Sequence, residues 1–177
     1  EAVNKRLGKS RKTRKANTEI NLEINAFLPS DYISDQRQKI EIYKRIREIE
    51  SRTYYQDLQD ELIDRFGEYP DTVAYLLEIG LLKYFSDQAL VDKIDKQLTT
   101  IVYMMSKAAT HTFMPQDYFD ALSKTQLKAK IGETSGQMVI RFDIRNLSAA
   151  TYLSEIISFT ERLSAIRDEK TNEKTGN

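Results

Sequence analysis

The sequence predicts an α+β domain: an N-terminal strand and helices, followed by a mostly antiparallel sheet closed by a C-terminal helix. Three observations predict it. Residues 35–88 place their apolar side chains at helical spacing. Residues 90–144 shift toward period two, with turn residues between short β-rich runs. From Ser148 onward the helical spacing returns.

Residues 1–17 hold seven Lys or Arg (Lys5, Arg6, Lys9, Arg11, Lys12, Arg14, Lys15) against one acid, Glu1. Their lack of apolar pattern predicts a basic flexible linker. A folded domain then spans 18–167, and 168–177 reads as a polar tail. Ile20, Leu22, Ile24, Ala26 and Leu28 alternate with polar residues, which predicts a strand ended by Pro29. Ser34 or Asp35 begins a helix to about Glu50, with Ile40, Tyr43, Ile46 and Ile49 inward. Lys39, Lys44, Arg45 and Arg47 make its outer side basic.

The next helix is the best marked. Thr53 caps it, with Gln56 closing a capping box. Gly67 ends it and Pro70 prevents continuation. Tyr55, Leu58, Leu62 and Phe66 form its buried stripe. Glu61, Asp64 and Arg65, at i, i+3 and i+4, share a face that the stripe does not use. Asp57 and Asp60 add to its acidity, so this helix suits the basic one before it. Spacing alone describes the polar face equally as solvated surface with an internal Glu61–Arg65 pair.

Asp71 or Thr72 opens a third helix whose apolar positions cover most of its circumference, predicting a central, buried place. Gly80 in its middle costs about 1 kcal/mol relative to Ala, which either a close approach by another backbone or a tolerated accident would explain. Leu90–Ile94 and Leu98–Met105 read as strands joined by a turn at Asp95–Gln97. Pro115 starts a short helix through Leu122. Leu127–Ile131 and Met138–Ile144 form a hairpin around Gly132–Gly136. Ser148 caps a last helix to about Arg167.

At 177 residues the chain can build a real core. It opens on Glu1 with a polar segment, and so reads as a piece of a longer protein. It contains no Cys, which rules out disulfides and thiolate chemistry. No apolar run approaches the ~20 residues of a membrane span, and no signal peptide is visible; a cytoplasmic location is expected. Net charge is zero, so the basic start leaves the remainder mildly acidic, a poor surface for phosphate backbones. There is no phosphate-binding G-x-x-x-x-G-K-[ST] loop. His111 is the only histidine, sits in a Thr-rich connector and reads as a surface residue. Asp117 and Asp120 have an ordinary helical spacing. Tyr54, Tyr69, Tyr84 and Tyr118 are candidates for an interface, where tyrosine is enriched. No catalytic residue, metal site or cofactor site is expected, and the chain does not read as an enzyme.

The segment Asp35–Ile46 (DQRQKIEIYKRI), followed by Glu61–Asp71 (ELIDRFGEYPD) and preceded by the strand-like Ile20–Pro29, resembles the C-terminal domain of bacterial transcription-repair coupling factors. The resemblance covers about 19–166 and is most specific in its first blocks. It implies a parent protein that uses ATP in motor domains elsewhere, translocates on DNA, removes stalled RNA polymerase and recruits UvrA through a UvrB-like module. It implies that this domain docks on that module of the same polypeptide and masks UvrA binding. The partner-binding residues are then Glu61, Asp64 and Arg65, which stand in the matching ELIDRFG block. The alternative is a nucleic-acid-binding module using the basic N-terminal segment; no aromatic residue interleaves its charges to stack on bases.

Overall fold

In the computed structural model, residues 16–175 are described. The expected linker therefore lies outside them, apart from Ala16 and Asn17. The elements are β1 (Glu19–Asn21), α1 (Gln36–Arg47), α2 (Arg52–Phe66), α3 (Asp71–Gln88), β2 (Val91–Gln97), β3 (Thr100–Met105), α4 (Lys107–Thr112), α5 (Pro115–Leu122), β4 (Ala129–Thr134), β5 (Gln137–Asp143) and α6 (Ala149–Thr175). The five strands make one sheet in the order β1-β2-β3-β5-β4. Every pairing is antiparallel except β1 with β2. This is the α+β architecture that the hydrophobic pattern predicts.

The first strand is shorter than the alternation suggests. Glu23 takes φ +55°, which ends the extended run. The following segment still buries Leu22, Leu28 and Ile33 as irregular chain. Its polar backbone is partly satisfied by side chains, as where Leu28 N donates to Tyr43 Oη at 2.8 Å. Thr18 pins the start: its N–H donates to Asp87 Oδ1 and its hydroxyl to Val91 O.

Of the two expected starts, Asp35 caps α1, accepting from Arg37 N and Gln38 N. The inward residues of α1 are Ile42 and Ile46, with Ile49 just beyond its end. Ile40, expected inside, is 66% exposed. A series at i+3 alone precesses around a helix of 3.6 residues per turn, so 40, 43, 46 and 49 cannot all face one way. The cap of α2 is Ser51, two residues before the expected Thr53, and its Oγ accepts from Tyr54 N. Gly67 ends α2 at φ +86°, and Tyr55, Leu58 and Leu62 are buried as expected.

β2 and β3 turn at Leu98–Thr99, since Gln97 pairs with Thr100. Asp95 and Lys96 pair with Val102 and Ile101, within the ladder. Both are half-buried in an inner strand, where Asp95 also pairs with Asn21 of β1, so their polarity does not mark a turn. The β4–β5 turn is Ser135–Gly136, both at positive φ (52° and 79°), the backbone of a type I′ hairpin. Gly132 lies inside β4. The connector holding His111 is helix α4. The last helix does not stop at Arg167 but continues through Thr175, so the expected tail is helical up to there.

One face of the sheet carries Ile94, Ile101, Tyr103, Met105, Ile140 and Phe142 into the core. α6 lies on it: the Phe159 ring stands 5.5 Å from Tyr103 and 5.1 Å from Phe142, both edge-on. α3 packs extensively on α6. α1 and α2 then lie against α3, leaving their outer faces to solvent.

Candidate protein-interaction site

α1 and α2 form an antiparallel hairpin joined by residues 48–51. Charge defines its seam. Arg45 of α1 pairs with Glu61 of α2, and one turn along Glu41 pairs with Arg65 at 3.6 Å. Arg65 also reaches Glu61 Oε2 at 2.9 Å within α2. The same Glu61 oxygen thus serves two guanidinium groups. The hydrogen bond from Arg45, then that from Arg65, holds the Glu61 carboxyl below the usual carboxylate range. All four side chains are partly exposed, so each pair contributes only tenths of a kcal/mol, and their joint effect is mainly to set register.

The C-terminal end of α2 is fixed separately. The Arg65 guanidinium lies 4.9 Å from the Phe66 ring centroid, and Phe66 packs against Tyr32. Tyr32 Oη donates to the orphan carbonyl of Gly67 at 2.8 Å. At the other end Arg52 grips Glu161 of α6, donating from both Nε and Nη2. A short helix held at both ends is a rigid platform.

On this platform the three residues predicted for partner binding fare differently. Glu61 and Arg65 are committed to the seam. Asp64 is exposed and makes no hydrogen bond or ion pair among the described residues. Asp57 and Asp60 share its condition. The structure therefore brings the triad onto one helix face but leaves one member with its charge available. Sequence reading named Arg45 among the cations that suit the acidic α2 but missed Glu41 and the specific pairs: the i, i+4 spacing of Glu41 and Arg45 on α1 matches that of Glu61 and Arg65, a signal visible once the hairpin is antiparallel. Of the candidate interface tyrosines, Tyr118 is 2% exposed and belongs to the core. Tyr54, Tyr69 and Tyr84 are partly buried against it. His111 is exposed on α4. Among the described residues no group of His, Cys, Asp or Glu is placed to hold a metal, and no helix is long and apolar enough to cross a membrane.

The TRCF domain family model matches residues 22–115, which contain both helices of the hairpin. The chain belongs to the transcription-repair coupling factor family. It is 30% identical over 169 residues to the transcription-repair-coupling factor of Bacillus subtilis, a match covering 96% of this chain. It is 32% identical over 167 residues to that of Staphylococcus aureus USA300, covering 93% of this chain. Each match spans only 14% of the curated relative. A crystal structure of the C-terminal domain of transcription-repair coupling factor superposes with a TM-score of 0.85 at 49% identity, covering 88% of this chain and 96% of that one. The chain is thus similar in fold to that C-terminal domain, and the residues matched by the family model include both helices of the hairpin.

Proposed function

We propose that this domain is a non-catalytic, regulatory protein-interaction module of a transcription-repair coupling factor. It docks through α2 on the UvrB-like module of the same polypeptide and masks that module's UvrA-binding surface. In doing so it restrains the ATP-dependent DNA translocase until stalled RNA polymerase is engaged. The observation that carries the reading is Asp64, an exposed acid without a partner among the described residues, on a helix anchored at both ends.

The roles follow from that geometry. Asp64 accepts from an arginine of the partner, a charge-assisted contact that gains strength as water is excluded. Glu61 and Arg65 keep the ridge in shape, and Glu61 has a second carboxylate oxygen left for the partner. Because both surfaces sit on one polypeptide, docking is intramolecular, and a weak polar contact stays closed at high effective concentration. A closed state favoured by about 2–3 kcal/mol suppresses UvrA binding about 30- to 150-fold. A motor cycle can still open it. The domain needs no cofactor of its own in this role; ATP belongs to the motor domains.

Asp64→Arg in the full-length coupling factor is the test. It places like charge against the partner's arginine and opens the latch. UvrA affinity rises by up to about the same factor, and basal ATPase rises with it. Unchanged values for both overturn the reading.

A further inference from the structure

The outer face of the α1–α2 hairpin is electrically divided. α1 carries five cations and one acid; α2 carries four acids and two cations. The seam consumes Arg45, Glu41, Glu61 and Arg65. Outward of it, Arg37, Ile40, Lys44 and Arg47 are spaced 3, 4 and 3 apart and share one exposed stripe of α1. Asp57, Asp60 and Asp64 are spaced 3 and 4 apart on the exposed stripe of α2. Arg37, Arg47 and the three aspartates have no side-chain partner among the described residues, and Lys44 has only a loose 3.9 Å contact with Glu48. Ile40, 66% exposed, lies within the α1 stripe, and Ile63, 40% exposed, lies beside the α2 stripe, three residues from Asp60.

A face that is cationic on one half and anionic on the other is complementary to itself. A two-fold axis lying in the contact plane, parallel to the helices and midway between them, lays the α1 stripe of each copy on the α2 stripe of the other. The two contacts are equivalent, and both are attractive. We propose that this face docks on the same face of a second copy of the chain, as a symmetric, salt-sensitive dimer. Ile40 and Ile63 supply the apolar contact, and the charges set partner and orientation. The 12-residue α1 is about 18 Å long, so two neighbouring helices present only about 350 Å², well under the ~800 Å² per partner of a standard interface. The association is accordingly weak. It does not rest on the latch, but it uses Asp64, so one copy cannot hold both contacts at once.

The experiment needs only this chain. Sedimentation of the 177-residue protein at rising concentration in about 50 mM NaCl is expected to show monomer passing to dimer. About 500 mM NaCl weakens this at least tenfold, since screening then reaches within ~5 Å. Two variants make the charge argument specific: R37E/K44E/R47E, in which both stripes become acidic, and D57K/D60K/D64K, in which both become basic. Each alone stays monomeric, and an equimolar mixture of the two forms a heterodimer, because only the mixture pairs opposite charges on both contacts. Melting curves show that each variant is folded; should either not be, the salt series on the unaltered chain decides. A chain that is monomeric throughout, a dimer indifferent to salt, or variants that self-associate while their mixture does not, each overturns the proposal. None of these outcomes bears on the UvrB-like module, so the latch stands or falls separately.

Discussion

Gly80 sits where α1 leans on α3. A methyl group there would lie 2.9 Å from Ile46 Cγ2, 3.1 Å from Ile49 Cδ1 and 3.2 Å from the Ile46 carbonyl oxygen. The side-chain contacts could yield by a rotamer change; the carbonyl could not without moving the helix. Alanine would return about 1 kcal/mol of helix propensity, but overpacking of this kind costs typically about 1–3 kcal/mol. Gly80→Ala is therefore expected to lower stability by about 1 kcal/mol in urea unfolding. A stabilised variant would show that α1 can shift freely. The sequence showed a glycine inside an otherwise apolar helix and left a close backbone approach and a tolerated accident both open; the Ile46 contacts favour the first. Which backbone approaches was not legible, because that depends on a contact between residues 34 positions apart.

At the scale of elements, α2 shows how a cap is chosen. Ser51 and Thr53 both precede its apolar stripe, and either could accept from an amide two or three residues on. Ser51 does so, at 3.0 Å from Tyr54 N, because its backbone is extended at φ −170° while Thr53 is already within the helix. Ser51→Ala should cost about 1 kcal/mol, whereas Thr53→Ala, at an exposed helical position, should change stability by less than about 0.5 kcal/mol. Thermal or urea denaturation of both distinguishes them, and an equal loss would contradict the assignment. The candidate site was likewise half legible. Spacing alone placed Glu61, Asp64 and Arg65 on one polar face. It could not tell which charges are spent, since Glu41 and Arg45 reach that face only when α1 folds back against it.

At the scale of the molecule, the sheet and the last helix meet through three rings. Tyr103 of β3, Phe142 of β5 and Phe159 of α6 are each within 5.1–5.5 Å of the others. The Tyr103 hydroxyl is 2.7 Å from Thr160 Oγ1, and burial pushes it well above the ordinary phenol range. Phe159→Ala removes the ring that touches both strands and should cost about 3–5 kcal/mol. Because α6 also packs on α3, helices and sheet should lose stability together. Far-UV circular dichroism and tyrosine fluorescence are expected to report one shared transition at lower denaturant. A variant in which the helical signal persists after the tyrosine signal is lost would mean two independent units.

The sequence by itself determined what depends on near neighbours along the chain. The helix-then-sheet order, the stop at Gly67, the caps at Asp35 and Ser148 and the buried stripe of α2 all follow from spacing and local hydrogen bonding. Tertiary structure alone decided what depends on distant ones. It ended β1 after three residues, paired it parallel to β2, carried α6 past Arg167 and extended β2 through Asp95 and Lys96. It also decided which of the twelve charges on two helices cancel and which face outward. Local rules act over one helical turn or one hairpin, while charge pairing acts across whatever surfaces the fold brings within a few ångströms.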